Sequence, residues 1–309
     1  MDSDVKKETY LLLIFTTIVW GIQPLCIKLL IADWSPVTIT CARYVLISGM
    51  LFLLMYLRKD KGIKPPRSCW LSLVAMGVTG IFINNVMQFT GLQYSTVTNC
   101  TLIASTSPAI TAFVAALFIK ERLNLLAWLG IIISFMGALS IVSHGSMDMI
   151  AKIDFNKGDM LFLGCQIFWT IYSLIALRVM QKMSAMAATA WAGILGAICT
   201  ACYGLGTDEL TPVFLPMLSW AAYFYTVVLG GVMAMLFWNI GVKNAGPSIT
   251  SIFQNITPII GMLGGVLIFN EVVSIDECSG ALVIFGGVYL TTHSNMMEEY
   301  IAHHWLRRA

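Results

Sequence analysis

The residues of this chain that could handle a small molecule recur at helical steps. Trp20, Gln23, Pro24, Ile27 and Lys28 follow one another at intervals of three and four, which places them on one face of a helix. Gln166, Trp169, Tyr172 and Ser173 repeat that arrangement later in the chain. Asn84, Asn85 and Gln88 mark a face of a third segment, and Trp238 with Asn239 occupies the matching part of a fourth. Any one of these amides or rings alone is ordinary glue between helices. Two aromatic-plus-amide stripes in matching segments are better explained by a shared polar cavity.

Two cations fall inside apolar segments, Lys28 and Arg43, the second followed by Tyr44. A cation at the centre of a bilayer helix costs about 2.5–3.5 kcal/mol, which makes both functional candidates. Lys28 can also snorkel outward, leaving only its stem in the apolar layer. Arg43 lies deeper, and its two readings are a substrate contact or a brace on backbone carbonyls at a broken helix. Pro108 and Pro258 supply such breaks, each withholding a partner from the carbonyl four residues before it, Ala104 or Gln254. Asn99, Thr101 and Ser105 to Ser107 surround the first, and Gln254, Asn255 and Thr257 the second. Pro24, Pro108 and Pro258 are therefore the expected helix breaks and gating points.

What is missing limits the chemistry as much. The four histidines, His144, His293, His303 and His304, have no cysteine or acid beside them at ligand spacing. No phosphate loop and no nucleophile–base pair occurs, so the reading is a protein without catalytic residues, metal or cofactor. Cys199 and Cys202 form a C-x-x-C within an apolar helix and read as small packing residues. No Asp or Glu is expected inside the hydrocarbon part of any span, so neither proton coupling through an intramembrane acid nor a drug-cation site is expected.

The elements that must position these residues are apolar helices. Of the 309 residues 58% are hydrophobic and 11% charged, where a soluble domain carries roughly a quarter charged. The net charge of +2 comes without a basic tract, which gives no reason to expect nucleic acid. A bilayer core takes about 20 apolar residues per helix. Charge-free windows place ten spans near 10–31, 36–57, 70–91, 97–118, 124–143, 159–179, 185–205, 218–240, 248–269 and 278–295. The opening Lys6–Lys7 and the apolar run after it could imitate a signal peptide. Pro24, Lys28 and the absence of a small-x-small cleavage site favour a retained first helix.

The chain also matches itself at an offset of 150 positions. Gly91 meets Gly241, Pro108 meets Pro258, Glu121 meets Glu271, Gly130 meets Gly280 and Gly137 meets Gly287. Duplicated apolar chains are the usual construction of transporters, with the site where the repeats meet. Five spans per repeat is an odd number, so the second repeat enters the membrane from the other side. The expected fold is an all-α membrane protein of ten transmembrane helices in two inverted five-helix repeats, 1–145 and 146–309. The fifth and tenth helices, with Gly130, Gly137, Gly280, Gly286 and Gly287, read as peripheral packing helices. Lysine and arginine gather in alternate loops (Arg58 to Arg67, Lys120 with Arg122, Arg178 with Lys182, Lys243), whereas the other loops hold only Lys152 and Lys157 beside Asp208, Glu209, Glu271, Asp276 and Glu277. That bias places both termini in the cytoplasm.

The run Gly91-Leu92-Gln93-Tyr94-Ser95, then Ser107-Pro108, Lys120-Glu121-Arg122-Leu123 and Trp128-Leu129-Gly130, resembles the EamA domain of the drug/metabolite transporter superfamily. Trp20-Gly21 with Pro24, and Pro36 with Arg43-Tyr44, fit the same pattern. The second half follows it more loosely: Trp169 stands for Trp20 and Asn270-Glu271-Val272 for Lys-Glu-Arg, but nothing matches Pro24 or Arg43. The resemblance implies a ten-helix, multi-pass carrier of the inner (plasma) membrane, and family members mostly export amino acids and related metabolites. The missing second arginine suggests that the first repeat reads the polar head of the cargo.

The leading expectation is a secondary exporter of small metabolites, most simply amino acids, working by alternating access as a monomer or homodimer in the lipid bilayer. The rival on the same scaffold is an organic-anion or sugar-phosphate exchanger using Lys28 and Arg43. A membrane sensor or membrane-embedded enzyme is the less favoured class, since the loops are too short for an output domain. The expected cavity is lined by Trp20, Gln23, Lys28, Arg43, Tyr44, Asn85, Gln88, Gln166, Trp169, Tyr172, Trp238, Asn239, Gln254 and Asn255.

Overall fold

A computed structural model describes residues 3–60, 62–118, 124–146, 148–149 and 155–306. Lys61, the Lys120–Leu123 stretch with Glu121, Lys152, Arg307 and Arg308 lie outside the described residues. Helices carry nearly all of the rest, and no strand occurs among the described residues. In chain order they are α1 (Ser3–Leu30), α2 (Pro36–Leu57), α3 (Arg67–Tyr94), α4 (Val97–Ala104), α5 (Ser107–Phe118) and α6 (Leu125–Val142), followed by α7 (Lys157–Val179), α8 (Ala185–Gly206), α9 (Met217–Ala245), α10 (Pro247–Ile252), α11 (Thr257–Phe269) and α12 (Ile275–Leu306).

Local chemistry sets many of the boundaries. Ser35 accepts from the Thr38 amide and Pro36 follows at the first helical position, where a missing N–H costs nothing. Ser184, Thr96, Asn124 and Asn156 cap α8, α4, α6 and α7 in the same way. Asn270 ends α11 in the left-handed region with φ 52°, which turns the chain sharply into Glu271.

By length and composition, eight helices among the described residues can cross a membrane, or nine if the bent pair α4–α5 is one span. The expectation from the sequence was ten. The pair α4–α5 bends by 44° where Ser105 and Thr106 intervene before Pro108, so the straight helix expected over 97–118 is two pieces. The corresponding stretch of the second half is also interrupted, by a 3-10 turn over Phe253–Ile256 ahead of Pro258. The segment expected near 278–295 is the middle of α12, which runs on to Leu306 and is not among the eight.

The packing follows the 150-residue offset. α2 lies along α8 and α6 along α12, so each of these helices pairs with its own sequence counterpart. α3 packs on α7, and α9, its counterpart, packs on α1. The exchanged pairings α1–α11 with α5–α7, and α4–α11 with α5–α10, complete the set. The α6–α12 contact depends on close backbone approach: a Cβ on Gly130 would press on the Gly287 carbonyl, and one on Gly137 on the Gly280 carbonyl. Small residues permit such approach where water-driven hydrophobic association is absent.

Gly287→Ala should therefore separate α6 from α12, because the new methyl meets the Gly130 carbonyl and the Ser134 amide rather than a movable side chain. The expected loss is about 1–3 kcal/mol, read as a lower unfolding temperature in detergent. Gly286→Ala faces open space within 4 Å and should leave that temperature unchanged or slightly raised. Equal effects of the two changes would refute the contact.

Candidate functional site

Two helices widen at corresponding places in the two halves of the chain. In α3 the residues Gly77–Ile83 form a π-helical stretch, and in α9 Tyr225–Met233 do the same. A π turn spreads the backbone ladder and leaves carbonyls in need of other donors. Asn85 supplies its amide nitrogen to Gly80 O and Ile81 O, both at 3.0 Å. In α9 the indole of Trp20 donates to Gly230 O at 3.0 Å, and Arg43 donates through Nη2 to Thr226 O at 3.0 Å. The wide turns also open room for neighbours: Gly80 faces the Tyr172 ring and Gly230 faces Gln23, so a side chain at either position would collide.

Between these stretches lies a cavity of about 710 Å³, counting the solvent at its mouth. Trp20, Gln23, Pro24, Arg43, Tyr44, Asn85, Gln88, Gln166, Trp169 and Gln254 line it, all named from the sequence as candidates. Among the described residues Arg43 is the one cationic lining group, and no acid lines the cavity. The guanidinium is 1% exposed and meets only neutral acceptors: Asn85 Oδ1 at 3.4 Å, Gln23 Oε1 at 3.3 Å and the Thr226 carbonyl. Phe89 and Tyr44 offer their rings at 5.3 and 5.7 Å, and its Nε has no partner among the described residues. A buried cation facing only dipoles and rings is under-compensated, and an anionic group entering the cavity would relieve it. The brace on a freed carbonyl is present as well, through Nη2.

Three tryptophans meet at the cavity wall. Trp20 lies edge-on to Trp169 with centroids 5.3 Å apart, and Trp238 sits 5.2 Å from Trp20 and 5.5 Å from Trp169. Trp238 is behind the lining pair, its indole donating to Ser173 Oγ at 3.4 Å. Tyr172 stacks on Trp169 at 5.0 Å, and its hydroxyl accepts from Asn239, which also donates to Thr189, each at 2.7 Å. Tyr172, Trp238 and Asn239 thus form a second layer that fixes the rings in front. Asn255 is not among the lining groups, and its amide oxygen is buried without a partner among the described residues. Of the expected breaks, Pro24 lines the cavity, Pro108 lies in the first turn of α5, and Pro258 opens α11.

Lys28 is not among the residues that line the cavity. Its ammonium donates to the Ser95 carbonyl at 3.0 Å and pairs with Glu271 at 3.4 Å. Of the helical face shared with Trp20, Gln23 and Pro24 reach the cavity, after which the end of α1 meets the α3–α4 turn. Glu271 also caps α4, accepting from the amides of Val97 and Thr98 at 2.9 Å each and from the Thr98 hydroxyl at 2.8 Å. A carboxylate at a helix N-terminus is favoured by the helix dipole. One residue further along α4, Asn99 donates to both carboxylate oxygens of Asp159, and Ser95 Oγ donates to Asp159 Oδ1. Glu271, Lys28, Ser95 and Asp159 thereby tie together α1, the α3–α4 turn, α7 and the turn after α11.

Asp159 stands at the end of an apolar helix and yet is closed off from solvent. It belongs to the first turn of the apolar helix Lys157–Val179 and is 0% exposed. In the sequence it sits at a helix boundary, where water would be assumed. The α3–α4 turn covers that boundary and removes the water. Cys100, Met235 and Gly230 also line the cavity without having been singled out. Gly230 carried a readable signal, because it is the 150-residue counterpart of Gly80.

Comparison with known proteins agrees with this architecture. A family model described as the EamA-like transporter family matches the chain twice, over residues 7–143 and 156–293. The uncharacterized transporter YyaM of Bacillus subtilis is 26% identical over 282 residues, covering 90% of this chain and 91% of that protein. An uncharacterized transporter of Archaeoglobus fulgidus is 26% identical over 288 residues, covering 93% and 98%. A solved crystal structure superposes with a TM-score of 0.68 at 17% identity, covering 93% of this chain and 97% of that one, and so shares the fold.

The Glu271 junction has a pH signature. Burial pushes its carboxyl up, but the Val97 and Thr98 amides, the Thr98 hydroxyl and the Lys28 ammonium outweigh that and hold it below its ordinary value of 4.5. A carboxyl lowered by folding stabilises the fold above that ordinary value, and the contribution is lost as pH falls through the lowered one. Glu271→Gln should therefore unfold at lower temperature than the parent at pH 7, and the two should converge on acidification. A gap that stays constant down to pH 3 would show that the carboxylate charge is not what holds the junction.

Proposed function

We propose that this chain, which belongs to the EamA-like transporter family, exports small metabolites carrying a carboxylate, most simply amino acids, through this cavity. The observation behind this reading is Arg43: a buried, under-compensated cation on the wall of a cavity that no acid lines among the described residues. A carboxylate entering there finds a planar fork of donors. The paired faces of Trp20 and Trp169 favour an apolar side chain on the cargo, and the amides of Gln23, Gln88 and Gln166 offer partners to an amino group. A sugar-phosphate exchanger on the same scaffold is the weaker reading, since Lys28 is committed to Glu271 and Ser95 and leaves one cation for a dianion.

The mechanism in this reading is alternating access between two inverted five-helix repeats, 1–145 and 146–309, across ten spans. The pairwise exchange of helix contacts under the 150-residue offset supports a two-fold relation. The loop charges support two cytoplasmic termini in a plasma (inner) membrane. Pro108 and the Phe253–Ile256 turn break α4–α5 and α10–α11 beside the cavity and give each repeat a place to bend.

Arg43→Lys should weaken transport of carboxylate cargo about tenfold or more in proteoliposomes, because lysine cannot reproduce a two-bond fork. Unfolding temperature should stay near the parent value, and cargo with its carboxylate amidated should be insensitive to the change. A lower unfolding temperature with equal loss for every cargo would leave Arg43 as a brace on Thr226 alone. Cysteines placed singly at Ser146 and Lys59 test orientation: an impermeant thiol reagent on intact cells should label the first and spare the second. The reverse pattern would invert the topology.

A further inference from the structure

The cavity does not account for Asp159. Its carboxyl is wholly buried, and no cation lies within ion-pair distance among the described residues. Lys28 and Glu271 cancel each other, so the charge on Asp159 stays uncompensated in that group. Its donors are the Ser95 hydroxyl and the Asn99 amide, with the first turn of α7 behind it. The other titratable or charged groups facing it are His144 after α6, Glu277 on α12, and Cys100 on α4. Lys157 on its own helix is turned to the Tyr94 ring at 4.6 Å. An isolated carboxylate removed from water carries a large cost, and binding a proton is the usual way to remove it.

Asn99 supplies the second observation. It is 2% exposed, its Nδ2 is on the Asp159 carboxylate, and its Oδ1 is buried with no partner among the described residues. An ionised Asp159 uses the NH₂ end of this amide. A neutral Asp159 carries an O–H that needs an acceptor, and the idle Oδ1 becomes that acceptor when the amide rotates. The pair is therefore satisfiable with and without the proton.

We propose that Asp159 is a proton-binding site that couples protonation to closure of this end of the molecule. One proton from solvent converts the carboxylate to a carboxylic acid and makes the Lys28–Glu271–Asp159 group neutral. The neutral acid is at home in the buried position, so protonation holds the α3–α4 turn down on α7. Loss of the proton restores a charge that gains from hydration, and the turn lifts. The link to transport is α4 itself: Thr98 meets Glu271, Asn99 meets Asp159, and Cys100, Thr101 and Ala104 line the cavity before the break at Pro108. Movement of α4 that breaks the junction must therefore reshape the cavity wall. This rests on the alternating-access reading above, but its test needs no cargo.

The test is a spin-label distance across the junction, with labels at the exposed positions Gln93 and Ile275, in the full chain in nanodiscs from pH 4 to 8. Exposed Cys202 and Cys278 are replaced by serine to keep labelling specific. In the parent the population at short distance should rise as pH falls. Asp159→Asn should hold the short distance at every pH. Ser95→Ala, which removes a donor from the charged form, should move the transition about one pH unit higher, the equivalent of one hydrogen bond to a charged group. Parent distances that ignore pH, or a transition that survives Asp159→Asn, would overturn the proposal, as would a transition lost only in Glu271→Gln. Should Asp159→Asn fail to fold, an unmoved Ser95→Ala transition would overturn it alone.

Discussion

In a bilayer an unpaired backbone group has no water to turn to, so every broken helix must find its donors within the protein. The cavity exists because two helices are broken by widening and two more by proline or a 3-10 turn, all towards the centre. The two widened helices leave carbonyls in need of partners, and the residues that answer are Trp20, Arg43 and Asn85. The polar cavity and the repair of the backbone are thus one structure. Arg43 shows this most directly, with one nitrogen on the Thr226 carbonyl of the widened α9 and the rest of its fork beside the cavity wall.

The two halves carry the same scaffold with different chemistry on it. The widened stretches fall at corresponding places, and so do the glycines that face a neighbour across them, Gly80 and Gly230. At the position corresponding to Arg43 the second half has Gly193, whose missing side chain makes room for Ser48. A second buried guanidinium there would add a like charge near the first. Symmetry of the backbone therefore serves movement, and asymmetry of the side chains gives the cavity a charged side and an uncharged one.

The junction of α1, α7, the α3–α4 turn and the turn after α11 is the complementary region. Few apolar contacts between helices specify one arrangement against all others, since lipid tails are as apolar as leucine. Glu271 on two backbone amides, and Asp159 on Ser95 and Asn99, do specify one. Directional bonds of this kind can be made or broken as a unit, which suits a part of the molecule that must have two states.

The sequence by itself determined the class of protein, the family and most of the cavity wall. Apolar runs of bilayer length, the 150-residue offset and the three- and four-residue spacing of Trp20, Gln23 and Trp169 are periodic signals, and periodicity is what a linear chain displays. It could not separate the lining layer from the layer behind it. Tyr172, Trp238 and Asn239 share the same helical faces, and depth from a cavity depends on how helices are inclined to each other. The widening of α3 and α9 was also hidden, because no residue type demands a π turn. The surroundings of Lys28 and Asp159 were hidden for a common reason: both stand at helix ends, where the sequence suggests water. Whether a helix end is wet depends on what folds across it, and here the α3–α4 turn does so, giving Lys28 its partner and burying Asp159. That contact joins segments far apart in the chain, which only the tertiary structure could decide.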